Sequence, residues 1–229
     1  MLKPKRKITI KEIKQDPLLE TIYKGKQFFE DNRKLIFRIG GGVLIVAVAV
    51  LLIRSSRSGA STEADGILAS AMSHYQAGNN IEAVTDLDQL IDQYSSTKSG
   101  ETALYYLAQV QMNTGNDAEV REYAESYARN GSSPSLRTGA YQMLGELDEK
   151  GGDYSGAAEN YELAAEIAVT EISSRRNMLR AADCYLKSGD LDKADSLINK
   201  VGPEENTLDQ LQGEISRIKS KYLVLKSKS

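Results

Sequence analysis

Histidine and cysteine, the side chains most often used as base, nucleophile or soft metal ligand, occur once each in this chain, as His74 and Cys184. A Cys/His nucleophile pair would need an exposed thiol beside the imidazole. A structural zinc site would need further His or Cys ligands. His74 stands at the end of a predicted helix beside Tyr75, whereas Cys184 falls where small buried side chains are expected. A single cysteine excludes an internal disulfide. The glycines at 40–42 lie inside an apolar run and form no phosphate-cradling loop. No constellation for hydrolysis, group transfer or redox chemistry is present. The expectation is a protein that is not an enzyme and takes no cofactor and no metal, which leaves the binding of other polypeptides.

Charge divides the chain. Residues 1–38 carry eleven Lys/Arg against five Asp/Glu, a balance of +6, while residues 54–229 carry eighteen against twenty-seven, a balance of −9. The acidic part argues against a nucleic-acid partner. Helix-favouring residues dominate and four prolines are scattered, so the fold class is all-α.

The elements that must position any binding surface show in a repeat. Gly78, Gly115, Gly152 and Gly189 are each 37 residues apart. In the same register Ile67, Leu104, Tyr141 and Met178 form a large apolar column. Ala71, Ala108, Gly145 and Ala182 form a small column, and Ala83, Val120, Ala157 and Ala194 another. A fixed period over four units predicts a helical solenoid. The glycine ends the first helix of each unit in a left-handed conformation. Asn79, Asn116, Asp153 and Asp190 follow it and can cap the second. Small columns mark where paired helices cross closely. The spacing predicts helices over 62–77 and 79–94, 99–114 and 116–129, 134–150 and 153–168, and 171–188 and 190–200. Gly202 and Pro203 break the chain before a last helix over 205–226.

These residues resemble the tetratricopeptide repeat, most closely in unit three, through Tyr141, Leu144, Gly145, Gly152, Asp153, Tyr154, Ala157, Tyr161 and Ala164. Unit two is degenerate, with Val120 and Ala124 replacing the usual Ala and aromatic, and every unit is three residues longer than the family period of 34. The resemblance implies a right-handed α-solenoid of four helix pairs over 62–204 plus a capping helix over 205–229. It also implies a concave groove lined by the first helices. Mapped here, unit one contributes Leu68, Met72 and Tyr75 to that groove. Unit two contributes Tyr105, Tyr106, Gln109, Met112 and Asn113, and unit three Gln142, Met143 and Glu146. Met and Tyr suit an adaptable peptide-binding surface. The alternative is that several of them pack between neighbouring repeats. Repeats that clamp the acidic terminus of cytosolic chaperones carry Lys, Arg and Asn where this chain has Leu68, Met72, Tyr106, Gly139 and Met143, so that clamp is absent.

Residues 39–53 contain no charge, and ten of them are Val, Ile or Leu. At ~1.5 Å per residue they cover about 22 Å of a ~30 Å hydrocarbon layer. Extension to Leu35 gives about 28 Å if Arg38 snorkels. The expectation is one transmembrane helix over 35–53, followed by a linker over 54–61. A cleaved signal peptide with Ser58 and Ala60 at the cleavage site is the alternative. The long basic leader and Arg54 and Arg57 argue against it. Positive charge upstream places the N-terminus in the cytoplasm and the acidic domain outside, in the periplasm of a diderm bacterium. The tail 1–34 contains a helix signal, with Asp16 as cap, Pro17 at the first position, and Leu18, Leu19, Ile22, Tyr23 and Phe29 on one face.

The last helix places Leu208, Leu211, Ile215, Ile218, Tyr222 and Leu225 at spacings of 3 and 4. The stripe can close the open end of the solenoid or zip residues 205–226 to a second copy as a homodimer. Closure is the expectation.

The order of elements, with KGKQFFEDNRK at 24–34 directly before the span and degenerate repeats after it, resembles the YfgM-like bacterial inner-membrane proteins. Phe28, Phe29, Asn32 and Lys34 carry the local likeness, and residues 1–17 exceed the shorter tail of that family. The resemblance implies a single-pass inner-membrane adaptor, ancillary to the Sec translocon. Its implied partners are translocon subunits, a periplasmic foldase or chaperone, and exported chains. The alternative is a tethered scaffold of another envelope complex.

Overall fold

The computed structural model describes residues 17–202 and 209–228, and their regular structure is helical throughout. In chain order the helices are α1 Pro17–Gln76, α2 Asn80–Tyr94, α3 Lys98–Thr114, α4 Asp117–Asn130, α5 Pro134–Gly151, α6 Tyr154–Ile167, α7 Glu171–Ser188, α8 Leu191–Val201 and α9 Asp209–Lys226. They divide into two units, Met1–Arg57 and Ser58–Ser229.

In the first unit the transmembrane helix expected over 35–53 is not supported as a single span. Among the described residues no single helix is long and apolar enough to cross a membrane; the segments Glu20–Leu35 and Phe37–Leu51, bent by 64°, pass that test only together. Lys34 and Arg38 interrupt the apolar run, and the stretch beyond the bend is too short alone. Residues 54–61, expected as a linker, are helical. Extending a helix costs less than starting a new one, and these residues include no proline. The caps and side chains expected at Asp16, Leu18 and Leu19 lie outside the described residues, as do the flanking side chains of Arg54 and Arg57.

In the second unit the backbone turns at the four repeat glycines are the same. Gly78, Gly115, Gly152 and Gly189 have φ of +79, +81, +82 and +88°, a region that costs other L residues roughly 1–2 kcal/mol. The N–H of the following residue reaches back five positions in each case: Asn79 to His74, Asn116 to Gln111, Asp153 to Asp148 and Asp190 to Tyr185, at 2.9–3.1 Å. That bond closes the Schellman turn. Thr97, Ser133 and Thr170 cap α3, α5 and α7 by accepting from the amides of Gly100, Leu136 and Ser173.

Neighbouring helices pack in series, as in a solenoid. Both small columns are buried: Ala83, Val120, Ala157 and Ala194 are fully enclosed, and Ala71, Ala108, Gly145 and Ala182 lie opposite. Gly145 shows why the first-helix position must be small. A Cβ there would lie 2.8 Å from the Tyr161 ring. Where Tyr161 stands in unit three, the other units have Leu87, Ala124 and Ile198, all buried.

α9 packs on α7 and α8, burying Leu211, Ile215, Ile218 and Tyr222 with the core of the last repeat. Leu208 lies outside the described residues. Ile215 is 37 residues after Met178, so α9 continues the large column as a fifth first helix. Lys219 stands where the other first helices have a small residue.

Candidate functional site

Successive first helices are joined by side-chain pairs 34 or 38 residues apart. These separations differ by one helical turn, so a side chain on one first helix fits between two on the next. Ser99 donates to Asp65. Asn113 Nδ2 donates to Tyr75 Oη at 3.1 Å. Arg180 meets Glu146 at 2.8 Å and Lys187 meets Glu149 at 2.6 Å. Asp183 holds α9 through Lys221 at 2.8 Å and Arg217 at 3.6 Å.

Burial pulls the Asp183 carboxyl up, but the hydrogen bond and charge of Lys221, with Lys187 beside it, outweigh this and hold it below its ordinary value. Glu149 behaves alike: burial is opposed successfully by Lys187 and the Tyr161 hydroxyl.

The groove residues named from sequence sit within this ladder. Leu68, Tyr75 and Tyr106 are half-buried against the first core cluster. Tyr105 and Met112 are half-buried against the second cluster. The Tyr105 ring stacks edge-on to Tyr106 at 5.4 Å, and its hydroxyl accepts from Gln109 at 3.1 Å. Gln142 donates to Asn177 at 2.8 Å, reaching the next first helix. Met143 is only 6% exposed and belongs to the core. Met72 is half-buried, while Asn113 and Glu146 are exposed. Most of these side chains are therefore engaged with one another or with the neighbouring repeat, and Met143 offers nothing to a ligand.

Between successive second helices lie open clefts that sequence inspection missed. One is floored by Leu104 between α2 and α4, the next by Tyr141 between α4 and α6, and the third by Met178 between α6 and α8. Their walls repeat with the 37-residue period: Asp88, Glu125 and Glu162 correspond, as do Ile91, Ala128 and Ala165. The signal was available in Leu163, an apolar residue of α6 out of phase with the core and 42% exposed between glutamates.

His74 and Cys184 stand in different repeats. His74 Nδ1 lies 3.3 Å from Asp86 Oδ2, across α1 and α2. Cys184 is 1% exposed, and burial, reinforced by the Glu149 charge, pushes its thiol up to about 12. Among the described residues no group of His, Cys, Asp and Glu is placed to hold a metal ion.

No family model matches this chain, and a search of curated proteins found no match. Among the described residues, the repeats present open clefts between their second helices.

Proposed function

We propose that this chain is a membrane-attached adaptor for protein–protein contact, built as a right-handed tetratricopeptide-like solenoid. Its apolar residues 35–53 would be seated in a bacterial inner membrane and its repeats in the periplasm. The observation that carries the membrane reading is the first unit's display of large, exposed apolar side chains. Phe37, Ile39, Val43, Leu44, Ile45 and Leu51 are all at least 59% exposed. So much contiguous apolar surface calls for a lipid or protein cover. The basic flank upstream supports retention of the tail in the cytoplasm.

The sequence likeness to ancillary translocon subunits supports Sec channel subunits, a periplasmic foldase and emerging chains as partners. In native membranes, crosslinking should recover them, and an alkaline phosphatase fused after residue 229 should be active. A soluble fusion protein after alkaline extraction would remove the anchor. Recovery of one dominant non-Sec envelope complex would replace the translocon assignment with a scaffold.

A further inference from the structure

The three clefts between second helices share a plan but differ in charge. In the middle one the charges are internally matched: Arg121 meets Asp148 and Arg129 meets Glu125, each at 2.6 Å. The first is acidic, through Asp88, Asp92 and Glu122, but is smaller. The third is the largest, about 590 Å³, against about 380 and 200 Å³ for the other two. Its α6 wall carries Glu159, Glu162 and Glu166 around the exposed Leu163. Glu162 accepts from the Tyr185 hydroxyl at 2.7 Å. Glu159 and Glu166 are exposed and form no ion pair among the described residues. Lys200 stands on the opposite α8 edge. Glutamates three and four positions apart repel along a helix, and here that repulsion borders an apolar floor of Met178, Ala165 and Leu197. A ligand cation on the α6 side would relieve it, while an apolar side chain would cover the floor.

The geometry points to the α6–α8 cleft as a docking site for a basic segment of a partner protein, with a large aliphatic side chain seated against Leu163 and Met178 and its Lys or Arg neighbours against Glu159 and Glu166. This goes beyond the adaptor reading and does not depend on the membrane anchor, so peptide binding and membrane extraction fail separately.

The test uses the full chain in an uncharged detergent and a fluorescein-labelled peptide, Arg-Lys-Leu-Leu-Lys-Arg, read by anisotropy. A peptide with serine in place of both leucines should bind at least tenfold more weakly. The double variant Glu159→Lys/Glu166→Lys should lose at least tenfold in affinity, as should Leu163→Gln, which leaves the charge unchanged. Glu82→Lys/Asp117→Lys, the same change in charge made at exposed positions elsewhere, should lose less than threefold. Helical circular dichroism must be retained by each variant, and if Leu163→Gln unfolds, Leu163→Ala takes its place. Equal losses in both double variants, or wild-type affinity in the folded Leu163 variant, would reduce the binding to general attraction and overturn the site. A tenfold gain in affinity on deleting residues 1–16 would assign the cleft to the chain's own basic tail and overturn the partner proposal.

Discussion

At the start of the second helix, units one and two use asparagine where units three and four use aspartate, on backbone turns that are otherwise the same. Asn79 and Asn116 make no side-chain cap bond, whereas Asp153 and Asp190 accept from the amides of Gly156 and Lys193. Between first helices, Ser99–Asp65 and Asn113–Tyr75 join units one and two by hydrogen bonds, whereas units three and four have Gln142–Asn177 and also the ion pairs Arg180–Glu146 and Lys187–Glu149. The backbone turn alone is thus enough to reverse the chain. A carboxylate adds a stronger acceptor and a charge suited to the positive end of the helix dipole. Reinforcement is concentrated where α9 must be held and where the third cleft opens.

The contrast can be broken most strongly at Tyr161. Tyr161→Ala should cost about 3–5 kcal/mol, because the ring is fully buried against Gly145. Urea unfolding should show the loss. The buried thiol of Cys184 supplies a local readout, since its labelling at pH 8 should accelerate as units three and four open. Little change in either would mean that the core there is not organised around this ring.

Asp183→Ala is next. It removes charge-assisted bonds worth roughly 1.5–3 kcal/mol and should raise amide exchange throughout α9 while leaving α2–α4 unchanged. Uniform exchange across all repeats would erase the distinction between the halves.

Overpacking at the crossing comes third: Ala157→Leu should cost about 1–3 kcal/mol in thermal or urea unfolding.

The caps give the smallest effect. Asp153→Ala and Asp190→Ala should each cost about 1 kcal/mol, measurably more than Asn79→Ala or Asn116→Ala. Equal losses in all four would show that the acceptor bonds add nothing to the turn.

Acid should sharpen the same comparison. Asp183 and Glu149 lie below their ordinary values of 3.8 and 4.5 in the folded protein. Between folded and unfolded values the unfolded chain binds more protons, so stability rises with pH there. Their contribution is present above those ordinary values and is lost as pH falls through the depressed folded ones. Exchange at pH 3 against pH 6 should therefore loosen α7 and α9 before α2 and α3.

The period of 37 was legible because each column answers a local demand: a left-handed turn at Gly152, a crossing too close for a large side chain at Ala157. The outer clefts were harder to find. Their walls come from residues such as Glu159 and Leu197, which sequence spacing does not bring together. Conversely, Met143 looked like a groove residue because its place in the repeat was legible while its burial was not. The apolar stripe of α9 and its register were legible; that Asp183 holds it through both Lys221 and Arg217 was not.

Sequence by itself determined the helix pairs, their turns and their small crossings, because those depend on interactions a few residues long and on a repeat that restates them. Only the tertiary structure decided which side chains are spent holding repeats together and which face outward. That division depends on contacts 34 to 38 residues apart, where one turn of a helix separates a buried partner from an exposed one.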